Sequence, residues 1–131
     1  MPQSALNALL VFLGGGSGAL LRHLVNIAVG KALGAGLPWG ILVVNITGSL
    51  CMGLATGWLA LKAGAGWHPQ AKLFLATGIL GGYTTFSAFS LDAVSLWQRG
   101  ESVLALAYVA ASVALSILGL YAGLTLMRTP A

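Results

Sequence analysis

Four long apolar runs, separated by brief polar punctuation, make up nearly the whole chain. Residues 2–21, 32–61, 73–91 and 102–127 each lack Asp, Glu, Lys and Arg. A helix needs about 20 mostly apolar residues to cross the hydrocarbon of a bilayer. The pattern therefore predicts four transmembrane helices, over residues 5–29, 39–61, 73–97 and 102–127. The expected fold class is an all-α membrane protein, one four-helix transmembrane domain over residues 1–131, with no stretch left over for an extramembrane domain. Composition agrees: the 131 residues are 58% hydrophobic and 6% charged, where a soluble domain carries roughly a quarter charged residues.

The first run has small residues at Ser17-Gly18-Ala19 that resemble a signal-peptide cleavage site. No Lys or Arg precedes the run and Arg22 follows them, the reverse of a signal peptide, so a retained helix is expected. The lone cysteine, Cys51, falls in the second span and permits no intrachain disulfide; a buried, inert thiol is the expectation.

Charge is informative through its balance. With four spans, both termini and the second loop share one side, which carries Lys62, Lys72 and Arg128. The other side carries Lys31 and Arg99. So even a distribution gives the positive-inside rule nothing to act on, and insertion in both orientations would allow the chain to pair antiparallel with itself.

The polar atoms within the spans are the candidate chemistry. Arg22 lies inside the first span, after Gly14-Gly15-Gly16-Ser17-Gly18-Ala19. The glycines suit close helix approach. Arg22 either snorkels to the interface or places positive potential at a pore mouth, since an intramembrane charge is a functional hypothesis by default. Asn45, in the second span, either bonds a neighbouring helix or lines a solute path, and chemistry alone favours the bond. Tyr108, Ser112 and Ser116 fall at i, i+4 and i+8 on one face of the last span. Their hydroxyls either bond their own i−4 carbonyls or form a wet stripe.

The third span contains "GILGGYTTFSAFSLD", in which Gly81-Gly82-Tyr83-Thr84-Thr85 is a poor helix former. Irregular backbone at membrane depth is tolerated where protein buries it or water bathes it, and discontinuous helices coordinate ions in transporters. Unwinding there would expose carbonyl oxygens suited to a hard cation. Phe86 and Phe89 follow at i, i+3, a spacing that also fits ordinary packing.

Three motifs in order, "GGGSGALLRH", "GILVVNITGSLCMG" and "GGYTTFSAFSLD", resemble the Fluc/CrcB fluoride channel family over essentially the whole chain. The resemblance implies four helices per subunit with a broken third helix, paired as an antiparallel, dual-topology homodimer with two anion pores in the cell's inner (plasma) membrane. It implies a fluoride-selective channel that relieves fluoride toxicity. Asn45, Phe86, Phe89, Tyr108, Ser112 and Ser116 match the family's pore positions. The backbone carbonyls of Gly81 and Thr84 match its structural sodium (Na+) site, and Arg22 matches its vestibule arginine. Asp92 stands where members often carry glutamate, and Ala88 where they often carry threonine. The implied partners are fluoride, membrane lipid and a second copy of the chain, with no nucleic acid.

Two other classes compete with this reading. A small proton-coupled multidrug exporter depends on a carboxylate in its first span, and Met1 to Lys31 has no Asp or Glu. A non-transporting assembly subunit would need only the glycine faces. Enzymatic chemistry has little to work with: Asp92 and Glu101 are the only acids, and His23 and His68 are far apart in sequence.

Overall fold

The computed structural model describes residues 1–128. Among them there are helices and turns but no strand, and four helical stretches are long and apolar enough to cross a membrane. Helix α1 runs Gln3–Leu33 and α2 Trp39–Leu61. The third span, His68–Gln98, is composite: α3 His68–Lys72, a π-helical segment Leu73–Leu80, α4 Gly81–Tyr83 and α5 Phe86–Gln98. Helix α6 runs Ser102–Arg128.

Two spans are longer than the apolar pattern predicts. Helix α1 continues past residue 29 because nothing before Gly34 interrupts it; there φ reaches +82° and the Gly34 N–H closes on the Gly30 carbonyl at 2.9 Å. The third span begins at His68 rather than residue 73, with Pro69 in its first turn, where a missing N–H costs nothing. Between α5 and α6 the chain reverses in a Schellman motif. Gly100, at φ +82°, donates to the Trp97 carbonyl and Glu101 to the Leu96 carbonyl, each at 3.0 Å. A left-handed residue is required at this position, and glycine adopts it without strain.

Packing divides the spans into two layers of contact. Helix α1 lies along the π-helical segment and α4, while α2 and α5 both pack on α6. The first seam is built from glycines four residues apart on both sides, Gly14 and Gly18 against Gly78 and Gly82. A Cβ on Gly18 would run into the Ile79 carbonyl, and one on Gly82 into the Gly15 carbonyl. The backbones therefore touch, as small residues allow in membranes. The remaining surface is apolar: Phe12, Leu106 and Leu118, for example, are exposed on the protomer. Cys51, expected to be buried, is exposed too. Its helix is largely apolar around Cys51, so composition there does not mark which side meets protein.

Candidate functional site

Helical geometry stops at two residues, Thr84 (φ −82°, ψ 156°) and Thr85 (φ −152°, ψ 119°). Gly81-Gly82-Tyr83, expected from sequence to unwind with them, is a helical turn. Gly82 serves the α1 seam instead, while Gly81 is exposed. What the two threonines release is taken up by side chains. Asn45, on α2, grips Thr85 at both backbone groups: its Nδ2 donates to the Thr85 carbonyl at 3.0 Å and its Oδ1 accepts the Thr85 N–H at 2.9 Å. Thr85 then caps α5, its Oγ1 accepting the Ala88 N–H at 3.2 Å. Arg22 reaches across from α1 to donate to the Thr84 carbonyl at 3.3 Å. Thr47 and Tyr83 join their hydroxyls at 3.0 Å, bringing α2 and α4 together beside the break.

This arrangement leaves opposite partial charges on the two sides of the break. In an uninterrupted helix the Thr85 N–H would bond the Gly81 carbonyl; here it goes to Asn45, so that carbonyl is freed from its helical donor. On the other side α5 begins, and a helix N-terminus presents N–H groups and the positive end of the dipole to an anion. One chain break thus offers carbonyl oxygens in one direction and amide hydrogens in the other.

The amide side opens on a cavity of about 460 Å³, bounded by α2, α5 and α6. Asn45, Phe86, Phe89, Ser112 and Ser116 all line it. The two phenylalanine rings sit 5.5 Å apart and tilted by 58°. They differ in environment: Phe89 is 8% exposed and Phe86 is 78% exposed. The pair therefore leads from the interior to the outer surface of the protomer.

The serines are chemically the most informative. Ser17, Thr47, Thr84 and Ser90 each donate to the carbonyl four residues back, at 2.7 to 2.9 Å. Ser112 and Ser116 do not. Their Oγ atoms are buried and have no hydrogen-bond partner among the described residues. The Tyr108 hydroxyl lies close to Ser112 but lacks the geometry to occupy it. Buried hydroxyls nearly always find partners, so two orphans in line on a cavity wall mark a place where a ligand or water is to be bound.

The remaining candidates lie elsewhere. Tyr108 is off the cavity wall; its ring lies 5.4 Å from Phe89 and its hydroxyl donates to Asp92 Oδ2 at 3.3 Å. Arg22 is at the break, and Gly81 is on an exposed face of α4. Sequence reading overlooked Thr85 as clasp and cap, Thr47 as the partner of Tyr83, and the tie between Asp92 and Tyr108. A threonine just before a helical run is a capping signal, and it was readable. The other two pairings join separate spans and leave no local trace. Among the described residues, no group of three His, Cys, Asp or Glu could hold a metal ion.

Residues 9–124 match the family described as CrcB-like protein, Camphor Resistance (CrcB). A protein of Rhodopseudomonas palustris named fluoride-specific ion channel FluC is 57% identical over 120 residues, 92% of this chain and 95% of its own length. One of Chelativorans with the same name is 54% identical, over 92% and 95% respectively. A Nitrobacter hamburgensis protein, fluoride-specific ion channel FluC 2, is 51% identical over 94% of this chain and 98% of its own.

Proposed function

This chain belongs to the CrcB-like family, and from that premise we propose that it is a fluoride-selective channel through which fluoride leaves the cell. It is a multi-pass membrane protein and a channel rather than an enzyme. The observation that carries the reading is the pair of buried, unpartnered hydroxyls, Ser112 and Ser116, on a cavity shared with two phenylalanines and a helix N-terminus.

Fluoride is small and holds its water tightly, so a narrow path must replace that water with donors. The Ser112 and Ser116 hydroxyls supply them, since neither is committed to a hydrogen bond among the described residues. The α5 N-terminus adds positive potential where Thr85 and Phe86 meet the cavity. Phe86 and Phe89 present ring edges, which carry partial positive charge and exclude water while attracting an anion. Asn45 lines the same cavity, and with one amide hydrogen on Thr85 it has a second to offer.

The working unit in this proposal is an antiparallel homodimer with two pores, in the inner (plasma) membrane. Even Lys and Arg distribution supports dual topology, and the exposed Phe86 ring fits a path completed by a second copy. Gly81 and Thr84 would hold a structural sodium ion through their carbonyls: the Gly81 carbonyl is freed by the Asn45 clasp, while the Thr84 carbonyl would have to be shared with, or released by, the Arg22 guanidinium. When bound, sodium would supply positive charge that offsets the helical bond the Gly81 carbonyl lacks.

The test is efflux from liposomes containing the purified protein, followed with fluoride and with chloride electrodes. Rapid fluoride efflux with little chloride efflux is expected. Folded protein that passes neither ion would contradict the channel reading and favour an assembly subunit.

A further inference from the structure

We propose that Asp92 sets anion selectivity by competing with the passing ion for the single hydrogen of the Tyr108 hydroxyl, an inference that rests on the channel reading above. A second cavity, of about 370 Å³, is lined by Asn26, Trp39, Asp92 and Arg99 among others. It is separated from the serine cavity by a buried cluster of Ile41, Phe89, Leu96, Ala105 and Tyr108. Ile41 and Leu96 face the second cavity and Phe89 faces the first. The cluster is therefore the wall between them, and an apolar wall opposes any ion. Tyr108 supplies its polar crossing.

Tyr108 is 4% exposed, lies against Phe89 on one side and donates to Asp92 Oδ2 at 3.3 Å on the other. A phenol has one hydrogen to give. While the carboxylate holds it, the oxygen turns only lone pairs toward the serines, and lone pairs repel an anion. An anion crossing the wall has to take that hydrogen from Asp92. Hydroxyl–carboxylate bonds are charge-assisted and stronger than neutral ones when short, but at 3.3 Å this one is long enough for a strong acceptor to draw the hydrogen away. A compact anion such as fluoride is an acceptor of comparable strength and makes the exchange. Chloride spreads the same charge over a larger surface, is a weaker acceptor and does not. Asp92 is on this account a positioning residue that acts through Tyr108, and it discriminates by acceptor strength rather than by size.

The measurement is the ratio of fluoride to chloride efflux from liposomes, with unfolding followed in parallel on the same preparations. Asp92→Asn keeps the shape but offers a weaker, neutral acceptor, and the ratio is expected to fall about tenfold, the size of losing a hydrogen bond to a charged group. Asp92→Glu restores the charge and is expected to keep most of the wild-type ratio. Tyr108→Phe lowers the ratio as well, and Asp92→Asn adds nothing further once Tyr108 is Phe. If the carboxylate acted only by repelling anions, Asp92→Asn would raise fluoride and chloride efflux together and leave the ratio unchanged, which overturns the proposal. Should Asp92→Asn fail to fold, Tyr108→Phe carries the test alone, and an unchanged ratio there is equally decisive. Absence of fluoride efflux from folded wild-type protein is a separate outcome and brings down the channel reading itself.

Discussion

At Thr84 and Thr85 the backbone gives up three helical bonds, those of the Thr84 carbonyl and of both Thr85 groups, while the Thr84 N–H keeps its bond to the Leu80 carbonyl. Side chains from two other spans come to meet what is released. Asn45 takes both the N–H and the carbonyl of Thr85, and Arg22 takes the carbonyl of Thr84. On the facing wall of the same cavity, α6 is an unbroken helix whose own backbone needs nothing, yet Ser112 and Ser116 point buried hydroxyls at no acceptor. Apart from the Gly81 carbonyl, the break is irregular in shape but satisfied in its bonds; α6 is regular in shape and carries the unpartnered hydroxyls. Polar groups with partners hold a structure together, while buried groups without them hold a place for something else. In the proposed channel, this contrast assigns Asn45 the work of a clasp first and a pore donor second, and the serines the work of principal anion ligands.

The contrast breaks most readily at Asn45. Asn45→Leu leaves the part-buried Thr85 N–H and carbonyl, on a cavity wall, without a protein partner, at the lower end of about 1 to 3 kcal/mol for each group. Reversible unfolding in detergent should show a loss of about 2 to 3 kcal/mol, the two groups together. Asn45→Asp keeps the acceptor for the Thr85 N–H but sets a carboxylate oxygen against the Thr85 carbonyl, so it should cost at least as much. A stability equal to wild type in Asn45→Leu would mean that the break needs no clasp.

The glycines sharpen the comparison next. A Cβ at Gly82 meets the Gly15 backbone, whereas one at Gly81 meets only the Ala76 carbonyl, at 3.4 Å. Gly82→Ala should therefore force α1 and α4 apart at about 1 to 3 kcal/mol. Gly81→Ala should stay within about 0.5 kcal/mol, as a surface change does. Thermal unfolding of the two variants side by side checks the order. The reverse order would return the glycines to the role of helix breakers.

Phe86 and Phe89 give the smallest difference in stability. Phe89 is buried against Tyr108, and Phe89→Leu should cost about 1 kcal/mol. Phe86 is 78% exposed on the protomer, and Phe86→Leu should cost less than about 0.5 kcal/mol within it. Both should reduce fluoride efflux, because leucine has no ring edge to offer. Wild-type efflux from either variant would remove that ring from the path.

The sequence pattern was a good guide where a feature depends on one segment and a poor one where it depends on two. Four uncharged runs marked four spans, because crossing a bilayer is a demand on length and polarity within each run. The i, i+4 spacing of Ser112 and Ser116 likewise placed them on one face, which they share in the structure. "GGYTT", by contrast, read as one weak stretch, although only its threonines leave the helix. Glycine serves equally as a weak point or as a contact point, and the residue that decides for Gly82 is Gly15, on another helix. Asn45 could be read only as an amide seeking a partner; that both its groups go to one threonine is a fact of tertiary structure. The link from Tyr108 to Asp92 was hidden for the same reason.

The most direct test of the central claim is fluoride efflux from liposomes bearing the double variant Ser112→Ala, Ser116→Ala, with unfolding measured on the same protein. Neither hydroxyl bonds to the protein, so stability should remain within about 0.5 kcal/mol of wild type. Efflux should fall at least about tenfold, the cost of removing donors to a desolvated charge. Wild-type efflux from the stable double variant would contradict the claim that these hydroxyls are held open for fluoride.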